Sequence, residues 1–131
     1  MKKRGILQHE LSQTIAMLGH TDSIVIADAG LPIPPAVKRI DLAVTSGIPK
    51  FIDVLRAVLD DTRIERAIIA REMRETSPHL HRELVTLLGS IPIEEVSHEE
   101  FKTQTQKARA IVRTGEFTPY ANIILFSGVV F

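Results

Sequence analysis

Short runs of β-branched, continuously apolar residues most constrain the fold of this chain. They occur at residues 23–27 (SIVIA), 66–70 (RAIIA), 110–113 (AIVR) and 122–131 (NIILFSGVVF). A strand that is apolar on both sides is typical of a sheet that is covered on both faces. Because helical patterns separate these runs, the sequence predicts a layered α/β/α fold with a mostly parallel or mixed central sheet.

Start and stop signals give the remaining elements. Further strands are expected at residues 39–44 and 93–96, and helices at residues 8–18, 49–61, 77–88 and 98–108. Ser77 and Pro78 have the pattern of an N-cap and first turn, and Ser97 with Glu100 has the spacing of a capping box. Gly19 and Gly89 stand where helix C-termini favour glycine. The proline-rich stretch at residues 29–35 predicts a well-defined loop without regular structure.

Length and charge narrow the possible partners. The 131 residues suit a single domain, residues 1–131, and the 16 basic and 16 acidic residues cancel without forming blocks. We therefore expect neither a nucleic acid nor a membrane as partner. There is no cysteine, no signal-peptide pattern and no apolar run long enough to span a bilayer, so a soluble cytoplasmic protein is expected.

Several kinds of chemistry lack their sequence motifs. Glycine-rich phosphate loops, the GxSxG pattern of serine hydrolases and the HExxH or Cys/His spacings of metal sites do not occur. Acid and base chemistry by histidine, aspartate, lysine and tyrosine remains, with no cofactor and no metal.

The segment at residues 19–34, GHTDSIVIADAGLPIP, concentrates the polar candidates. His20 and Asp28 stand at the two ends of an apolar strand, where a rigid sheet can hold an acid or a base against a ligand. Near the C-terminus, Tyr120 and Asn122 offer a donor, an acceptor and an aromatic face that suit a hydroxyl-rich ligand.

The other histidines are weaker candidates. His9, His79 and His81 are expected on the solvated surface. His98 shares a helical face with Lys102, as a plain surface pair or as part of a site.

Motifs along nearly the whole chain resemble the sugar-mutarotase family, and within it the ribose pyranase branch. They are GHTDSIVIADAGLPIP, RIDLAV with GIPKF, SHEEFK, RTGE and PYANIILFSGVVF. The fucose branch typically has GHGDEIVLADANFP in the first motif, whereas this chain has Thr21 and GLPIP at residues 30–34. The ribose branch is therefore favoured.

The resemblance implies a cytoplasmic, cofactor-free enzyme that interconverts β-D-ribopyranose and β-D-ribofuranose for ribose utilisation. It implies that His20 is the proton donor and that further residues contact the sugar, namely Asp28, His98, Lys102, Tyr120 and Asn122. It also implies a ring-shaped homo-oligomer, commonly a decamer, with sites between subunits. The alternatives are an L-fucose mutarotase and a noncatalytic ribose-binding accessory of sugar transport.

Two questions of geometry stay open at this point. Eight extended residues would separate His20 from Asp28 by roughly 26 Å, so either the chain bends or the two residues serve one pocket from different subunits. The apolar C-terminus can be a final strand of the core or a segment buried against another subunit.

Overall fold

A six-stranded mixed sheet forms the centre of the computed structural model, which describes residues 1–131. In chain order the strands are β1 (Ser23–Ala27), β2 (Lys38–Asp41), β3 (Ile64–Ala70), β4 (Ile93–Val96), β5 (Ala110–Arg113) and β6 (Ile123–Ser127). Across the sheet their order is β2-β5-β1-β6-β3-β4. Every residue of β1 is buried, because this strand lies inside the sheet and both of its faces are covered.

The direction of β6 decides which loops meet at each edge of the sheet. It runs antiparallel to both neighbours, β1 and β3, whereas the other neighbouring strands pair in parallel. Ile123, the first residue of β6, pairs with Ile26 near the end of β1 and with Ile69 near the end of β3. The residues just before β6 therefore lie at the carboxyl ends of the parallel strands, and the residues after β6 lie at their amino ends.

Two apolar clusters cover the two faces of the sheet. The helices are α1 (His9–Met17), α2 (Phe51–Asp61), α3 (Glu72–Thr76), α4 (Pro78–Leu88) and α5 (His98–Thr105). Alternate residues of β1 belong to different clusters: Ile24 joins a larger core of 21 buried residues and Val25 joins a smaller one of 10. The larger core includes side chains of α1, α2 and α4. The smaller includes Phe101 of α5, Leu31 of the proline-rich loop and Val37 just before β2. The predicted layered α/β fold is confirmed, and the sheet is mixed.

The observed helix caps agree in part with those predicted from the sequence. The Ser97 hydroxyl accepts a hydrogen bond from the Glu100 N–H at 3.1 Å, which confirms the N-cap, but the Glu100 carboxylate accepts the Gln104 side chain at 3.1 Å, so only half of the capping box forms. Gly89 follows α4 with a φ of 59°, as predicted. The Ser77 hydroxyl makes no cap; it donates to the Pro119 carbonyl at 2.8 Å and ties α4 to the segment before β6. After α1 the left-handed residue is Thr21, with a φ of 70°, and not Gly19.

Several element boundaries differ from those expected. Helix α3 was not predicted, because five residues are too few to show a helical period. Strand β2 ends at Asp41, whose carboxylate accepts the Ala43 N–H at 3.1 Å and turns the chain. Helix α5 ends at Thr105 rather than at residue 108, since the Ala108 N–H turns back to bond the Thr105 carbonyl.

Only part of the apolar C-terminus is a final strand of the core. Its first half is β6, a central strand of the core, and β6 ends at Ser127. Beyond it Val130 and Phe131 are 87% and 100% exposed. None of the five helices is both long and apolar enough to cross a membrane.

Candidate functional site

Asp28 and Asn122 form a tightly bonded pair at the carboxyl edge of the sheet. Asp28 directly follows β1, and Asn122 directly precedes β6. The side-chain oxygen of Asn122 accepts the Asp28 N–H at 2.9 Å, while its Nδ2 donates to Asp28 Oδ2 at 3.0 Å. Asp28 Oδ1 also accepts the Gly30 N–H at 3.0 Å. Because Asn122 is fully buried and Asp28 is only partly so, the carboxylate is held rigidly with room to meet a ligand.

Tyr120 joins His98 to this pair. The His98 ring meets the Tyr120 ring edge-on, with centroids 5.1 Å apart and planes at 77°. The Tyr120 carbonyl accepts the Asn122 N–H at 2.8 Å, and Tyr120 has a φ of 62°. A non-glycine residue in this conformation is uncommon, and such residues cluster at functional sites. Four of the predicted site residues are thus linked by direct contacts.

Lys102 lies one helical turn after His98 in α5. Its Nζ is 2.7 Å from the Glu99 carboxylate, and this hydrogen bond holds the pKa of Glu99 below its usual range. The lysine side chain is partly exposed, so its ammonium group is available to a ligand at the same helical face.

Glu72 is a residue of the site region that the sequence did not indicate. Both oxygens of its carboxylate accept the His98 N–H, at 3.1 and 3.0 Å. Burial works to raise the pKa of Glu72, but the N–H groups of His98 and of Glu72 itself, together with the charges of His98 and Arg71, outweigh it and the pKa is lowered. No local signal could have indicated this contact, since its partners are 26 residues apart and α3 was not predicted.

His20 lies at the opposite edge of the sheet. The N–H of its neighbour Thr21 donates to the Ser127 carbonyl at 2.8 Å, and His20 Nε2 is 2.9 Å from a carboxylate oxygen of Glu65 in β3. The His20 side chain is 54% exposed. Strand β1, about 16 Å long at 3.3 Å per residue, separates this edge from Asp28. The chain therefore does not bend to bring His20 and Asp28 into one pocket of a single subunit.

Asp22 holds the turn that carries His20. Its carboxylate accepts hydrogen bonds from the Arg109 guanidinium at 2.9 Å and from the Gly19 N–H at 2.9 Å. These bonds, with that of Arg109 the stronger, hold the pKa of Asp22 below its usual range. The position of His20 thus depends on a short turn that is closed by a charged hydrogen bond.

The remaining histidines largely follow expectation. His9 and His79 are exposed. His81 was expected to be solvated but only 18% of its side chain is exposed, because it packs beside Glu95 with 3.7 Å between Nε2 and the carboxylate. No group of three or more histidine, aspartate or glutamate side chains is arranged to hold a metal ion.

An open groove of about 800 Å³ lies next to the segment before β6. It is lined partly by residues 116–119 and by the start of α4, and none of the predicted site residues lines it. The groove therefore does not coincide with the linked residues in this subunit.

Residues 1–130 match the model of the RbsD / FucU transport protein family. The chain belongs to the RbsD/FucU family. A D-ribose pyranase from Coprothermobacter proteolyticus is 59% identical to it over 131 residues, which cover 100% of both chains.

Solved structures of RbsD/FucU proteins share the fold. The structure of Bacillus subtilis RbsD complexed with D-ribose superposes with a TM-score of 0.98 at 48% identity and covers 100% of both chains. A fucose mutarotase from Streptococcus pneumoniae, solved in complex with L-fucose, gives a TM-score of 0.79 at 26% identity and covers 99% of this chain and 100% of its own. Within the RbsD/FucU family, this chain is thus more similar to the ribose-bound protein than to the fucose-bound one.

Proposed function

We propose that this protein is a D-ribose pyranase, which interconverts β-D-ribopyranose and β-D-ribofuranose without a cofactor and serves ribose utilisation. The observation that carries the proposal is the linked group of Asp28, Asn122, Tyr120 and His98, which the fold gathers at one edge of the sheet. The similarity to the D-ribose pyranase and to ribose-bound RbsD supports ribose as the substrate.

The chemistry of ring interconversion suits these side chains. The anomeric hydroxyl must lose a proton while the ring oxygen gains one, which opens an aldehyde that another hydroxyl then attacks. We propose His20 as the proton donor, because an imidazole ring can carry and donate a proton and a positioned acid contributes about 10² to 10⁴-fold. The carboxylate of Asp28 can orient a hydroxyl or accept its proton.

The remaining residues would bind the sugar. Tyr120 and His98 offer polar groups beside an aromatic face, and the Lys102 ammonium can stabilise oxygen charge as the ring opens. Asn122 is fully buried and bonds Asp28 through its side-chain oxygen and one N–H, so its share in sugar binding would be to hold the Asp28 carboxylate in place.

We further propose that each site forms between two subunits of a ring-shaped homo-oligomer, a decamer as the resemblance implies. Within one chain His20 lies at one edge of the sheet and Asp28 at the other, so a shared pocket requires His20 of a second copy. Val130 and Phe131 extend from the His20 edge, exposed and apolar, which is the character of a surface that a partner covers. A head-to-tail contact of this kind generates a ring when the rotation between neighbouring subunits closes.

Subunit complementation tests the activity and the shared site together. His20→Ala and Asp28→Ala are each expected to fold and to lose the acceleration of pyranose–furanose exchange, measured by saturation-transfer NMR of equilibrated D-ribose. When the two variants are unfolded, mixed in equal amounts and refolded, about one quarter of the sites regain both residues if neighbours share a site. Refolding each variant alone is the control.

Each outcome separates one hypothesis from another. No recovery in the mixture would reject the shared site, and wild-type rates in His20→Ala would remove His20 as the proton donor. If the wild-type protein binds ribose but leaves the exchange rate unchanged, it is the noncatalytic accessory of sugar transport. Faster anomer exchange of L-fucose than ring exchange of ribose would instead identify a fucose mutarotase.

The same proposal includes the whole chain as one sugar-mutarotase domain, residues 1–131, that works in the cytoplasm. The two apolar clusters that pack on opposite faces of one sheet support a single domain. Release of a stable fragment by limited proteolysis would contradict a single domain. Fractionation of cells would test the cytoplasmic location.

A further inference from the structure

Glu72 and His98 occupy equivalent places after two adjacent parallel strands. Ala70 and Val96 end β3 and β4 and pair with each other, so Glu72 and His98 each lie two residues beyond a paired strand end. The ladder continues past the strands, since the Arg71 N–H donates to the Val96 carbonyl at 2.8 Å. The next hydrogen-bonded contact is made by the Glu72 side chain, which accepts the His98 N–H with both carboxylate oxygens. The register of the sheet therefore sets the position of this carboxylate.

The bond from His98 fixes the first turn of α5. The first N–H groups of a helix have no partner within the helix, and a carboxylate at this end is favoured by the helix dipole. Ser97 caps the Glu100 N–H, while Glu72 takes the His98 N–H, so the two acceptors hold different donors of one turn. The lowered pKa of Glu72 agrees with a carboxylate that its hydrogen bond from the His98 N–H helps to hold in the charged form.

The His98 ring is confined on its other sides. It stacks on Phe101 with ring centroids 6.4 Å apart and planes at 11°, and its other ring contact is with Tyr120. Its Nδ1 is buried and has no hydrogen-bond partner. With the backbone held by Glu72 and the ring held between two aromatic side chains, small movements of the helix start would displace the imidazole. They would also displace Lys102, one turn further along α5.

We infer that Glu72 is a positioning residue for sugar binding, which acts through the His98 backbone to set where the His98 ring and Lys102 meet the substrate. This inference rests on the proposed function, because it concerns the same site. Glu72 is not a catalytic residue, since its carboxylate is engaged by backbone N–H groups.

Glu72→Gln tests the inference because it removes the charge and one acceptor oxygen while it keeps the length of the side chain. We expect the KM for D-ribose to rise about tenfold, since a charged hydrogen bond is exchanged for a neutral one, and kcat to change less than about threefold. Glu72→Ala should raise KM further. A purely structural defect would lower the amount of active protein and hence kcat, with KM unchanged, and that result would overturn the inference.

The matched control is Glu75→Gln, because the exposed Glu75 side chain of the same short helix makes no hydrogen bond or ion pair. It should leave KM and kcat unchanged. An equal rise of KM in this control would attribute the effect to the net charge of α3 and would also overturn the inference.

A spectroscopic measurement keeps the test independent of activity. Protein labelled with ¹⁵N-histidine has at most five backbone amide signals. The His98 signal should move as the Glu72 carboxylate titrates, at a pH below the usual range for glutamate. Most of this movement should be lost in Glu72→Gln, and the rest is due to the neighbouring Glu99, whose pKa is also lowered. A His98 signal that is unaffected by the substitution would disprove the contact. If wild-type protein did not accelerate exchange, the proposed function would fail, and the Kd for ribose would replace KM in the comparison of the variants.

Discussion

Replacing Asn122 by alanine should both destabilise the protein and impair its site. The substitution removes the hydrogen bond that the amide oxygen accepts from the Asp28 N–H and the one that Nδ2 donates to the Asp28 carboxylate. A neutral hydrogen bond contributes about 0.5–1.5 kcal/mol to stability, and one to a charged group about 1.5–3 kcal/mol. Because Asn122 is fully buried, water does not replace these bonds freely. The free energy of unfolding should therefore fall by about 2–4.5 kcal/mol, a large part of the usual 5–15 kcal/mol.

Urea denaturation at one fixed protein concentration measures this loss, since the stability of an oligomer depends on concentration. The kcat/KM for ribose exchange should fall by about ten- to a hundredfold, because the Asp28 carboxylate loses a bond that orients it. Asp28→Asn is the matched control: it keeps the backbone bond to Asn122, so it should lose only about 1 kcal/mol of stability but more activity than Asn122→Ala. The reasoning would be refuted if Asn122→Ala lost less than about 1 kcal/mol, or if Asp28→Asn were the less stable variant.

Two further predictions concern the turn that carries His20. Thr21→Gly should raise the free energy of unfolding by up to about 1 kcal/mol. Glycine relieves the strain of the left-handed backbone, and this gain outweighs the added flexibility of the unfolded chain. A loss of more than about 1 kcal/mol in thermal unfolding would contradict this prediction. Asp22→Asn should cost about 1 kcal/mol at neutral pH through its weakened bond with Arg109. Since the folded pKa of Asp22 is lowered, its contribution is fully present above the unfolded pKa and is lost as pH falls through the folded pKa. The stability curves of wild type and variant should thus converge only in acid, below about pH 4, and a difference that persists at lower pH would show another cause.

Much of the fold could be predicted because its signals are local. The strand patterns identify all six strands to within a few residues, and Ser97 with Glu100 identifies the start of α5. Helix α3 was not predicted, because it forms by packing between β3 and α4 and its five residues show no apolar period of their own. For the same reason Glu72 was missed: its role depends on the pairing of β3 with β4.

The sequence by itself determined the layered α/β class and supplied the candidate residues, since strand character, caps and motif resemblance all depend on neighbours in the chain. Only the tertiary structure decided which candidates meet. The antiparallel insertion of β6 between β1 and β3 brings Asn122 and Tyr120 to the carboxyl edge beside Asp28 and carries the C-terminal tail to the His20 edge. An extended strand cannot fold back on itself, so the two ends of β1 face opposite sides of the subunit. Strand order and direction are set by long-range pairing, which no short stretch of sequence records.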